Sequence, residues 1–140
     1  MEENVDKAYM WLKRAADGGH VLSQAMMGEL ELHLNENPSA AVPYLEKASA
    51  AGYLRSMNTL ARIYCDGAEG VPMNKPRAIE LYKKVAAAGY AEAQSNLGGC
   101  YYKGDGVPEN YYEAFHWVSM AAEQGNGYAQ KTWAFSTGMV

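Results

Sequence analysis

Apolar and small residues recur along this chain in blocks. Four times an alanine-rich or polar segment closes on glycine, at Gly18-Gly19-His20, Ala51-Gly52-Tyr53, Ala88-Gly89-Tyr90 and Gln124-Gly125-Asn126. Gly19, Gly52, Gly89 and Gly125 are 33, 37 and 36 residues apart, a period at which one supersecondary unit stacks on the next and shares its core. Ahead of each glycine, Ala8, Ala41, Ala78 and Ala114 stand seven residues before Ala15-Ala16, Ala48-Ser49, Val85-Ala86 and Ala121-Ala122. With Trp11, Tyr44, Leu81 and Trp117 between them, the apolar positions read i, i+3 and i+7, one stripe of an amphipathic helix, here called helix B. Asn4, Asn37, Asn74 and Asn110 precede those leading alanines by four residues and predict N-caps, because their side chains accept from first-turn N–H groups. Pro38 and Pro76 fall in the first turn, where a missing N–H costs little, whereas Pro43 lies deeper and should bend or delay its helix.

After each glycine a second helix, A, is legible from Ser23, Ser56, Ala93 and Ala129, each followed four residues on by Met27, Leu60, Leu97 and Trp133. A small residue comes next every time, at Gly28, Ala61, Gly98 and Ala134. Mid-helix glycine costs about 1 kcal/mol relative to alanine, so small residues in register predict the close passage of a neighbouring helix. Glycine-rich loops follow helix A in two units, Gly67 to Asn74 and Gly104 to Asn110, and the first unit has only Leu34-Asn35-Glu36-Asn37-Pro38. These signals predict eight helices and no strand, near residues 4–18, 21–34, 38–51, 54–66, 74–88, 91–103, 110–124 and 127–136.

Helix A with Ala93, Leu97, Gly98 and Tyr101, a loop with Gly104, Gly106 and Val107, and helix B with Ala114, Trp117, Ala121, Ala122 and Gly125 resemble the Sel1-like repeat. Leu60, Ala61, Tyr64, Gly67, Gly70, Val71, Ala78, Tyr82, Ala86 and Gly89 carry the same motif one unit earlier. The first unit departs, with Leu30-Glu31 where Ile63-Tyr64 and Cys100-Tyr101 stand, and with the loop deleted. The resemblance implies an all-α, right-handed α-solenoid related to tetratricopeptide proteins, and use as an adaptor or scaffold. It divides a single domain over 1–140 into a half-unit 1–19, units 20–52, 53–89 and 90–125, and a terminal half-unit 126–140.

Composition narrows function by exclusion. With 49% hydrophobic residues, 140 residues support one repeat core, and a net charge of −4 with dispersed Lys and Arg gives nucleic acid no basic stripe. Lys13-Arg14 and Lys83-Lys84 read as solvated helix faces. No segment has the roughly 18 apolar residues of a membrane span, and the acidic start, Met1 to Asp6, shows no signal peptide. His20, His33 and His116 lie in different units without metal-ligand spacing, and Cys65 and Cys100 form no Cys-x-x-Cys. Exported relatives carry a disulfide in each unit; one cysteine in each of two units points instead to reduced thiols and a cytoplasmic setting. Gly104-Asp105-Gly106 lacks the context of a phosphate loop and reads as a repeat turn, and Trp11, Trp117, Tyr64 and Tyr101 read as core. No convergent titratable set supports catalysis, and no cofactor is implied.

Binding through shape is what remains. In tetratricopeptide-like units the A helices line the concave face, so the resemblance selects Leu22, Ala25, Glu29 and Leu32, then Arg55, Asn58, Arg62 and Cys65, then Glu92, Ser95, Gly99 and Tyr102, then Tyr128, Lys131 and Phe135. Arg55, Asn58 and Arg62 cluster on one helix and suit a protein or peptide segment carrying a carboxylate, since Arg offers a planar fork and Asn can hold a backbone amide. Arg55 and Arg62 pairing with Glu92 or Glu29 across the groove fits the pattern equally well. An adaptor that holds a protein partner and an inhibitor or immunity-type protein that occupies a toxin or enzyme are the two functions such a groove serves.

Overall fold

The computed structural model describes residues 2–125, with side chains from Asn4 onward. Among them are seven helices and no strand: α1 (Glu2–Asp17), α2 (Val21–His33), α3 (Pro38–Ala50), α4 (Leu54–Asp66), α5 (Lys75–Ala87), α6 (Ala91–Lys103) and α7 (Tyr111–Glu123). The expected helix at 127–136 lies outside the described residues. Contacts gather into two compact units that part between Met73 and Asn74. In the first, α1 packs on α2, α2 on α3 and α3 on α4; in the second, α5 packs on α6 and α6 on α7.

Each B-to-A turn closes in the same way. The N–H of His20 donates to Ala15 O at 3.0 Å and that of Gly19 to Ala16 O at 3.0 Å, and Tyr53 with Gly52 repeats the pair on Ala48 and Ser49. This double bond at a helix end needs a left-handed residue, which explains the periodic glycine: φ is 95° at Gly19 and 91° at Gly52. A second polar tie crosses the turn. Gln24 Nε2 donates to Ala16 O at 3.2 Å, and Gln94 Nε2 donates to Ala86 O at 3.1 Å while its Oε1 accepts from Gln124 at 2.7 Å. Met57 takes the corresponding place in α4.

Asn37, Asn74 and Asn110 are N-caps, accepting from the N–H groups of Ala40, Arg77 and Glu113 at 3.1–3.2 Å. Asn4 is not: α1 begins at Glu2, so Asn4 lies inside the first turn. Helix α3 continues through Pro43 to Ala50. Glu36 takes the left-handed conformation, φ 51°, in the short loop of the first unit where glycines serve elsewhere.

The small residues of helix A mark close helix approach. A Cβ on Gly28 would stand 2.5 Å from Leu45 Cδ2, and one on Gly98 would stand 2.6 Å from Val118 Cγ2 and 3.1 Å from Ala114 O. The B-helix stripe is therefore i, i+4, i+7, with Ala41, Leu45 and Ala48 or Ala114, Val118 and Ala121 buried. The i+3 residues expected there differ: Leu81 is buried, Tyr44 and Trp117 are half-buried, and Trp11 is exposed with the Arg14 guanidinium 5.6 Å from its ring. The i+4 side chain sits over the glycine, and the i+3 side chain points 100° away around the helix, so the partner helix decides which is covered.

Gly98→Ala should cost about 1–3 kcal/mol by overpacking against Val118, whereas Gly99→Ala, where a Cβ meets nothing within 4 Å, should gain about 0.5–1 kcal/mol. Urea denaturation of the pair checks both signs. Gln94→Ala should cost about 2–3 kcal/mol, because it strands Ala86 O and leaves a void, and Gln94→Met, the residue found at that place in α4, should cost less in the same assay.

Candidate protein-binding site

The A helices of the first unit, α2 and α4, share a polar seam. Thr59 on α4 donates its hydroxyl to Glu29 Oε1 on α2 at 3.0 Å, and the same carboxylate meets His33 Nε2 at 2.9 Å. Glu29 is thus held by Thr59 and His33. On α4 itself, Arg55 and Arg62 are exposed, and between them Asn58 is half-buried with its Oδ1 shielded from water and accepting no hydrogen bond. An acceptor in that state is an open demand for a donor.

Beside the seam runs a trough of about 550 Å³ within the first unit. Its walls are Val5, Ala8, Tyr9 and Leu12 of α1 and Ala25, Met26, Glu29 and Leu30 of α2, with Tyr53 and Arg55 at one edge. Glu29, Ala25 and Arg55 were selected by the sequence; the α1 wall was not. Periodicity marks Ala8 as core, and in α1 Ala8 is exposed and Leu12 only half-buried.

Glu31 explains how the first unit departs from the repeat pattern. Buried on α2 where Tyr64 and Tyr101 stand in later units, it accepts a hydrogen bond from the Tyr9 hydroxyl of α1. In α4 the roles are reversed, with Tyr64 donating to Glu46 of α3 at 2.7 Å. The hydrogen bond to Glu31, then burial, then the carboxylate's charge push the Tyr9 phenol up to about 12.

In the second unit Glu92 and Tyr102 are exposed on α6, Gly99 is half-buried and Ser95 is buried, so Ser95 offers no contact surface. Tyr102 meets Tyr111 with ring centroids 5.4 Å apart. Leu22 is exposed, Leu32 and Cys65 are half-buried, and Tyr128, Lys131 and Phe135 lie outside the described residues. Asp105 of the glycine loop binds Lys75 Nζ at 2.5 and 2.7 Å, a structural clasp onto the first turn of α5. Among the described residues no His, Cys, Asp or Glu cluster could hold a metal ion, and no helix is long and apolar enough to cross a membrane.

Paired helices with a small-residue seam and a glycine-closed turn define an α/α repeat protein. The Sel1 repeat model matches residues 1–20, 21–53, 54–90 and 91–126, and the chain belongs to the Sel1 repeat family. It is similar to a Sel1 repeat protein from Oxalobacter formigenes, with TM-score 0.76 and 33% identity over 89% of this chain and 95% of that one. A protective antigen of uropathogenic Escherichia coli with an SLR fold aligns at TM-score 0.81 and 30% identity, over 91% of this chain and 28% of the antigen. Among curated relatives, chitin synthase regulatory factor 3 of Schizosaccharomyces pombe is 33% identical over 93% of this chain, which spans 15% of that protein. The chain thus covers a small part of that relative's length.

Tyr9 gives the α1–α2 contact a pH signature. Its folded value lies above the ordinary 10, so folding favours the neutral phenol, and that contribution is whole below about pH 10 and lost as the pH rises through about 12. The stability difference between the wild type and Tyr9→Phe, read from urea midpoints, should be constant from neutral pH to about 10 and shrink above it.

Proposed function

We propose that this chain is a non-catalytic interaction module that holds an acidic or carboxylate-bearing segment of a protein partner against α4, with Arg55 and Arg62 on the carboxylate and Asn58 on a backbone N–H. Sel1 repeat proteins are generally protein–protein interaction scaffolds and typically non-catalytic. The chain matches only 15% of the length of the regulatory factor among its relatives, which agrees with a modular role. The observation that carries the reading is Asn58 Oδ1, buried without a partner between two exposed arginines. Once its side chain turns outward, the Asn58 amide meets a peptide N–H supplied by a partner, and the guanidinium forks pair with carboxylate. Thiols at Cys65 and Cys100, one in each unit and in no disulfide, fit the same module working in a reducing compartment.

The partner is identified by crosslinking in the source cell and its affinity measured by calorimetry. Arg55→Ala with Asn58→Ala should then weaken binding at least tenfold at unchanged melting temperature, because truncating a desolvated Arg that pairs with a carboxylate commonly costs about 2 kcal/mol or more. Lys84→Ala, exposed on α5 near Glu80, should leave binding unchanged. Affinity that survives the double substitution places the partner elsewhere.

A further inference from the structure

The trough between α1 and α2 and the arginine face of α4 share a residue. Arg55 stands at the trough's edge beside Tyr53, and it is also the first of the two arginines on α4. The other polar side chains of the lining are engaged. Glu29 meets His33 Nε2 at 2.9 Å and accepts from the Thr59 hydroxyl at 3.0 Å, and Tyr9 donates to Glu31. Arg55 is exposed, and among the described residues no carboxylate pairs with its guanidinium. The trough therefore presents one open positive charge, at one edge.

The remaining walls are apolar. Val5, Ala8 and Leu12 form an i, i+3, i+7 stripe on α1, and Met26 and Leu30 stand in the α2 wall, with Val5 56% and Met26 44% exposed. A volume of about 550 Å³ lies within the roughly 300–1,000 Å³ of pockets that bury whole small ligands, so it holds more than one side chain. Methionine in the wall lets the seat fit side chains of different shape. We infer that the partner segment held by α4 carries large apolar side chains, leucine, methionine or phenylalanine, at a fixed spacing from its acidic residue, with the carboxylate on Arg55 and the apolar side chains in the trough. This rests on α4 being a carboxylate site and gives that site a second determinant, because Arg55 belongs to both surfaces. The α1 stripe runs over two helical turns, about 10 Å, which about three extended residues or seven helical ones span. The acidic and apolar residues of the partner therefore lie within that distance in its sequence.

Panning a random peptide library displayed on phage against the 140-residue chain tests it. Enriched sequences should combine an acidic residue with Leu, Met or Phe at a constant spacing, above their frequency in the unselected library. The most enriched sequence, made as a synthetic peptide, should bind Arg55→Glu and Ala8→Glu at least tenfold more weakly than wild type in calorimetry. Both positions are exposed, so circular dichroism and melting temperature should not change. Met26→Glu, also exposed, takes the place of Ala8→Glu should that variant lose stability. Replacing the peptide's apolar residue by Ser should cost at least tenfold on wild type and nothing further on Ala8→Glu, a coupling that a general weakening would not give. Acidic residues enriched without an apolar companion, or a Ser peptide that loses equally on both proteins, overturn the trough as the second determinant and leave α4 as the carboxylate site. Apolar residues enriched without an acidic one, affinity that survives Arg55→Glu, or no enrichment at all overturn both.

Discussion

The contact on which each unit depends is the seating of one large B-helix side chain over a glycine of helix A, Leu45 on Gly28 and Val118 on Gly98. Glycine in mid-helix costs about 1 kcal/mol, and full burial of a leucine or valine stabilises by about 1.5–3 kcal/mol, so the exchange favours close approach. Once the axes are that near, the alanines on either side, Ala41 and Ala48 or Ala114 and Ala121, are the right size and larger residues are not. The other connection in each unit, from helix B to helix A, is set by a glycine turn. Between α1 and α2, α3 and α4, and α5 and α6, left-handed Gly19, Gly52 and Gly89 close one helix so that the next starts at once, and Gln24 or Gln94 ties the new helix to a carbonyl of the old one.

How much of this was legible depends on whether the signal was local. N-caps at Asn37, Asn74 and Asn110, the glycine turns and the small residues of helix A each act within a few residues, and helix bounds fell within a residue or two of expectation. The reading failed at Asn4, because an N-cap is defined by where a helix starts and α1 starts earlier. It also failed by one position in the B stripe. Positions i+3 and i+4 both lie near the leading alanine's face, and only the location of Gly28 or Gly98 across the interface selects Leu45 and Val118.

The candidate face was legible as composition and not as geometry. Arg55, Asn58 and Arg62 share a side of α4 by helical spacing alone, and that survives in the structure. That Ser95 is buried, that Glu29 is engaged by Thr59 and His33, and that Glu31 meets Tyr9 from 22 residues away are tertiary facts with no local signature. The trough is harder still to read, because a sequence records residues that could be covered and says nothing of what covers them.

The polar groups fall into two sets, those that join helices and those that face outward. Glu31 is bound to Tyr9, Glu46 to Tyr64, Glu29 to Thr59, and Asp105 to Lys75, each joining one element to another. A carboxylate fixed in a helix-to-helix bond has its position set by packing and ties the two helices in register. The exposed arginines of α4 and the half-buried Asn58 amide are of another kind, groups whose charge or hydrogen-bonding character does not change with protonation near neutral pH. The same division separates the two surfaces of the first unit. The arginine and amide face offers charge and hydrogen bonding, while the α1 trough is walled mainly by the alanine, valine, leucine and methionine side chains of α1 and α2.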